Sequence, residues 1–135
     1  MNKNLKPVIK KHEGLRFFPY RCSALYLTIG WGRNLSDNGI TKEEAEYLLD
    51  NDIDIAVSET KKIFPALFTY TEQRTNALID MYFNLGFSNF ISFKKMIKAV
   101  KEKDWDRVAA EAKDSLWYKQ VGIRGVEIVE MLKKG

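Results

Sequence analysis

The sequence predicts an α+β fold, mainly helical, in which a small antiparallel β lobe is joined by a long helix to a helical lobe. Three observations carry this prediction. Residues 15–31 are aromatic, β-branched and alternating, the composition of strands. Thr41 and Glu44 form a T-x-x-E capping box ahead of Ala45, Leu48, Leu49, Ile53 and Ala56 at three and four spacing, the signature of a helix start. Beyond Tyr70, helical periodicity recurs in several segments.

With 135 residues, the chain suits a single domain, 1–135, that buries roughly two-thirds of its unfolded surface. Its β lobe covers about 15–40, the connecting helix about 41–62, and the helical lobe about 63–135 together with the N-terminal helix. Hydrophobic residues at 45% and charged residues at 30% exclude a disordered or collagen-like chain. Twenty-two basic against 18 acidic residues give +4, compatible with an anionic partner such as nucleic acid, cell-wall polymer or lipid headgroup but too small to choose among them. Cys22 is the only cysteine, so there is no intrachain disulfide, and no Cys/His cluster is spaced for zinc. The charged N-terminus, MNKNLKPVIKKHEG, lacks the apolar stretch of an export signal, and no run is long enough for a membrane span. Action outside the cytoplasm would then need a separate route.

Residues 4–13 read as a short helix, with Asn4 available as a cap, Pro7 in the tolerant first turn, apolar Leu5, Val8 and Ile9 on one side, and Gly14 as its stop. The sheet after it is expected to turn near Pro19 and at residues 22–24, with Thr28 and Gly30 on one face and Leu27, Ile29 and Trp31 on the other. NLSDNG (34–39) reads as a turn. The long helix runs to about Lys62, where Phe64 and Pro65 end it. Further helices are expected at 71–86, 92–101, 104–115 and 122–133. Most of the aromatics Phe64, Phe68, Tyr82, Phe87, Phe90, Trp105 and Trp117 are assigned to the core.

Glu13 stands at the C-terminal end of the first helix, the negative end of its macrodipole, a setting suited to a carboxyl group used as a proton donor. A lone helix-end glutamate is more often merely solvated. Glu13 gains weight beside Cys22 and Thr28, as E-x8-C-x5-T between H-E-G and T-I-G-W-G. The segment HEGLRFFPYRCSALYLTIGWG (12–32) resembles the active-site region of phage-type lysozymes, whose pattern is Glu, eight residues, Asp or Cys, five residues, Thr. The resemblance continues through ALIDMYFNLG (77–86), Trp105, Trp117 and the terminal GIRGVEIVEML, and so covers almost the whole chain.

This resemblance implies a lysozyme-like fold and hydrolysis of the β-1,4 bond between N-acetylmuramic acid and N-acetylglucosamine in peptidoglycan. Glu13 would protonate the departing oxygen, while Cys22 and Thr28 would orient a water on the opposite sugar face, an inverting geometry. Gly30 and Gly32 would let the glycan approach the backbone, with Asn34, Phe83 and Asn84 as sugar contacts. It implies no metal and no organic cofactor, peptidoglycan glycan strands as partner, no nucleic acid, and a monomer. With no leader, such an enzyme would be made in the host cytoplasm and reach the wall after holin-type release.

The role of Cys22 stays open. A thiol is a poorer acceptor and general base than a carboxylate, Arg21 beside it would favour the thiolate, and a covalent glycosyl-thiol is chemically conceivable. Leu25 departs from relatives that carry glycine in a C-x-A-G turn, so the turn either rearranges or holds strain. By the same resemblance His12 pairs with Glu127 of the last helix, with Arg124 nearby. Arg33, where the family usually has histidine, is expected to pair with Asp52. Two other classes are kept in view: a catalytically weak wall-binding module, and a small basic nucleic-acid binder, the latter disfavoured by basic residues interleaved with acids.

Overall fold

Thr41 and Glu44 start the longest helix through reciprocal bonds: the Glu44 N–H donates to Thr41 Oγ1 at 3.1 Å and the Thr41 N–H to Glu44 Oε1 at 2.8 Å. The computed structural model describes residues 3–135. In chain order it comprises α1 (Leu5–Glu13), β1 (Arg16–Arg21), β2 (Leu27–Gly30), β3 (Arg33–Asn34), α2 (Leu35–Asn38) and α3 (Lys42–Ile63). A 3₁₀ turn at Leu67–Thr69 precedes α4 (Glu72–Leu85), α5 (Phe87–Ile91), α6 (Lys94–Lys101), α7 (Trp105–Lys113), α8 (Leu116–Val121) and α9 (Ile123–Lys134). The expected α+β fold is present, mainly helical with a small antiparallel sheet. The chain forms two compact units, the first ending at Leu48 and the second covering Leu49–Gly135, so that α3 belongs to both. Among the described residues no helix is long and apolar enough to cross a membrane.

In the first unit, α1 begins at Leu5. Asn4 takes αR angles (φ −90°, ψ −12°) in place of the extended ones of a side-chain cap. Gly14 (φ 72°) ends the helix, its N–H returning to the Lys10 carbonyl at 2.9 Å. The three strands are antiparallel in the order β1-β2-β3. Pro19 corrects the expected turn: it lies inside β1, where the register shifts between Arg16 and Tyr20, and a bulge is one of the few places a strand accepts a residue without an N–H. NLSDNG is likewise more ordered than a turn. Asn34 Oδ1 accepts from the Asp37 N–H at 3.0 Å and caps the four-residue α2, and Ser36 Oγ accepts from the Leu27 N–H at 2.9 Å, tying that helix to β2.

The second unit holds the apolar core. Phe64, Leu67, Ala77, Leu78, Met81, Phe90, Ala99, Val100, Val108, Ala112 and Leu132 are fully enclosed. Each large side chain among them contributes about 1.5–3 kcal/mol of burial. Phe90 lies edge-on to Phe64, with centroids 6.0 Å apart and planes at 80°, and is tilted against Tyr82 at 5.5 Å. Short polar residues cap the helices that surround it: Thr71 starts α4, Asp104 α7 and Ser115 α8. Polar groups inside are satisfied by backbone, as when the buried Thr75 hydroxyl donates to the Leu67 carbonyl at 2.9 Å. Arg74 donates to the Leu132 and Lys133 carbonyls, both at 2.8 Å, closing the end of α9. Two aromatics depart from the expected core: Phe68 and Phe87 are exposed, Phe68 lying under the Lys61 ammonium, which is 5.5 Å from its ring centroid, and Phe87 opening the short α5 immediately after Gly86. Trp105 is only half-buried, edge-on to Tyr70 at 5.1 Å.

Because Phe90 joins two other rings at the centre of this core, Phe90→Ala should lower stability by about 3–5 kcal/mol, read as a reduced urea midpoint with an unchanged slope.

Candidate active site

Glu13 is the last residue of α1 and is exposed. Its carboxyl group lies against Gly32: a Cβ at that glycine would come within 2.7 Å of Glu13 Oε2 and 2.8 Å of Cδ. Gly32 also has φ +83°, so both the space and the backbone favour glycine there. Trp31, between Gly30 and Gly32, carries the Lys10 ammonium 4.3 Å from its ring centroid. Lys10 stands one helical turn before Glu13. The end of α1 and the β2–β3 turn are thus in contact twice.

Cys22 and Thr28 meet where β1 turns into β2, next to the register pairs Tyr20 with Thr28 and Arg21 with Leu27. The Cys22 N–H donates to the Tyr26 carbonyl at 3.0 Å, and the Leu25 N–H to the Cys22 carbonyl at 2.8 Å. A backbone hydrogen bond from Ala24 is the largest influence holding the Cys22 thiol below its usual value; desolvation opposes it, and smaller bonds from Tyr26 and the Thr28 hydroxyl add to it. Hydrogen bonds to sulfur favour its charged form. Arg21, suspected of that role, donates instead to the Leu25 carbonyl at 3.1 Å. Thr28 is buried, at 5% exposure, and its hydroxyl donates to the Tyr26 carbonyl at 3.1 Å. That hydroxyl has one proton for two neighbours, the carbonyl and the sulfur.

The turn does hold strain at Leu25. Its φ is +67° with the side chain exposed, a left-handed conformation that costs a residue bearing Cβ about 1–2 kcal/mol. Leu25→Gly should therefore stabilise the protein, by up to about 1 kcal/mol once the greater freedom of glycine in the unfolded chain is subtracted. Chemical denaturation measures this directly.

Arg33 corrects the sequence reading. Its guanidinium is held in a fork by Glu44, with Nη1 to Oε1 at 2.9 Å and Nη2 to Oε2 at 2.6 Å, and not by Asp52, while Nη1 also donates to the Gly39 carbonyl at 3.0 Å. Glu44 serves the capping box and the ion pair together, whereas Asp52 lies two turns further along α3 and is exposed. The Arg33 guanidinium, ahead of the Thr41 backbone bond, lowers the Glu44 pKa from 4.5 to about 2. Since the folded-state value is the depressed one, the stabilisation is present above about pH 4.5 and is lost as pH falls toward 2. Melting temperature measured across that window should fall less steeply in Glu44→Gln than in the parent.

The remaining expected site residues are spread over both units. Asn34 uses both ends of its amide within its own turn, Oδ1 on the Asp37 N–H and Nδ2 on Asp37 Oδ2, each at 3.0 Å. His12 is exposed in the last turn of α1 beside Lys10 and Lys11. On the second unit, Phe83 is exposed on α4. Asn84 Oδ1 accepts from the Trp117 indole N–H at 2.9 Å. Glu127 is exposed on α9. Arg124 donates through both its Nε, at 2.9 Å, and its Nη2 to Asp80 Oδ1 of α4; α4 and α9 pack together, and Asp80 is the acid that this packing brings to Arg124. Sequence reasoning missed Glu44 as the partner of Arg33, although the capping box had already marked it, and it missed Lys10 and Trp31, whose separation in sequence gives no periodic signal.

A helix-end carboxyl thus lies against a glycine turn, and Cys22 and Thr28 lie where β1 of the same small sheet turns into β2. The chain belongs to the phage lysozyme family, which it matches over residues 10–132. It is 27% identical over 165 residues to probable T4-type lysozyme 1 of Dictyostelium discoideum, covering all of this chain and 96% of that one. It is 32% identical over 110 residues to an endolysin of Acyrthosiphon pisum secondary endosymbiont phage 1, covering 77% of this chain and 71% of the other. It is also 26% identical to the pre-baseplate central spike protein Gp5 of Enterobacteria phage T4, over 99% of this chain but 28% of that one. Family membership makes the chain a lysozyme, a glycoside hydrolase of the muramidase class.

Proposed function

We propose that this lysozyme hydrolyses the β-1,4 bond between N-acetylmuramic acid and N-acetylglucosamine with inversion, and that Glu13 is the general acid. What supports the reading above all is the seat of Glu13: its carboxyl lies against Gly32, a position with no side chain, beside a turn whose glycines let a polysaccharide come close to the backbone. Protonating the glycosidic oxygen as the bond breaks spares the leaving sugar from departing as an alkoxide, which is the contribution of a general acid. Inversion requires a water on the far face of the sugar. Cys22 and Thr28 are the proposed groups that orient it: the Cys22 sulfur accepts a hydrogen bond from the water, and the Thr28 hydroxyl turns between sulfur, water and the Tyr26 carbonyl.

On the second unit, Phe83 and the exposed Asn84 amide are the proposed sugar contacts, an apolar ring and a hydrogen-bonding group. The two units are proposed to act as one lysozyme-like domain, working as a monomer on the wall from inside the host and reaching it through a separate pore.

The test is the rate at which purified peptidoglycan loses turbidity with the parent and with Glu13→Gln. Loss of a positioned general acid should slow clearing on the order of 10²–10⁴-fold, and the anomer first released by the parent should be inverted. Equal clearing by both proteins would assign the chemistry to another group. Binding of sacculi without clearing by either would favour a wall-binding module.

A further inference from the structure

The turn on which the Glu13 carboxyl rests has little stiffness of its own. Gly30 and Gly32 both have positive φ, +68° and +83°, and glycine is the residue least restricted by its own side chain. A carboxyl group used in catalysis needs the opposite, a surface fixed to within about half an ångström. The Ile29–Arg33 ladder pair closes the turn, and two neighbouring side-chain contacts brace it further. Trp31 is held from the side of α1 by Lys10. Arg33, next to Gly32, is held from α3 by the two oxygens of Glu44 and by the Gly39 carbonyl.

The second brace is the better anchored. Glu44 lies in the first turn of a 22-residue helix, its Oε1 also receives the Thr41 N–H, and a carboxylate and guanidinium joined by two parallel bonds define an orientation as well as a distance. We propose that Glu44 is a positioning residue for the acid: its fork onto Arg33 fixes the Gly30–Gly32 turn and, through Gly32, the place of the Glu13 carboxyl. This rests on Glu13 being the general acid. A pair as open to solvent as this one, with both side chains 39% exposed, adds little to stability. Its contribution is geometric, and small displacements of a catalytic group have large effects on rate.

The experiment compares kcat and KM on soluble peptidoglycan fragments for the parent, Glu44→Gln, Arg33→Lys, Thr41→Ala and Glu13→Gln, each corrected for the folded fraction measured by circular dichroism at the assay temperature. Glu44→Gln keeps the bond to the Thr41 N–H but loses the charged fork, and its kcat should fall on the order of tenfold with KM unchanged. Arg33→Lys keeps a charge without the fork and should show a smaller fall in kcat; it also serves if Glu44→Gln folds poorly. Thr41→Ala removes only the hydroxyl half of the capping box and should stay within about twofold of the parent, the result that separates positioning from simple support of the helix. Parental kcat in Glu44→Gln and Arg33→Lys while Glu13→Gln is inactive would overturn the positioning role alone, as would equal losses in Thr41→Ala and Glu44→Gln or a change confined to KM. Parental activity in Glu13→Gln would overturn the acid assignment and this proposal with it.

Discussion

One carboxylate, Glu44, joins the start of α3 to the strand that follows the turn beside Glu13. It closes the start of α3 on the Thr41 N–H and grips Arg33 with both oxygens, so the longest helix and the smallest strand are fastened at one point. The geometry needs Arg33 immediately after the Gly30–Gly32 turn and Glu44 in the first turn of α3, where a carboxylate also complements the helix dipole. Without the charge the bond to the Thr41 N–H could remain, while the fork onto Arg33 would be lost. The sheet itself is too short to replace it, since β3 has two residues.

The sequence was legible where the signal is local. Thr41 and Glu44 are three residues apart, and their reciprocal bonds appear as the spacing predicts; Gly86 ends α4 within a residue of where its lack of a side chain suggests. Short elements escaped because their signals are brief: α2 depends on one Asn34 cap, α5 on the five residues after Gly86, and α8 on Ser115. Pro19 was misread as a turn because a bulge in β1 removes the need for its missing N–H, something only the pairing with β2 decides.

The same division holds for the candidate site. The triad spacing marked Glu13, Cys22 and Thr28 as candidates, and the strain at Leu25 arises from a side chain in a left-handed backbone conformation. Partner choice was less accessible. Arg33 took Glu44 over Asp52, and Arg124 took Asp80, because a long side chain pairs with the acid that folding brings nearest, which sequence separation does not encode. The cap that Asn34 forms on α2 was read as a plain turn for an equally simple reason: an amide bonding its own next residues leaves the same short polar signature in either case.

The distribution of buried side chains has a further consequence. Among the described residues every enclosed apolar side chain lies between Ala56 and Leu132, while the only buried side chain in the first unit is that of Thr28. Opening free energy tracks enclosed apolar area, so the first unit is expected to open at lower cost than the helical core. The proposed acid and its water-orienting pair thus sit where least apolar surface is enclosed, and thermal inactivation is expected to precede the unfolding of the core.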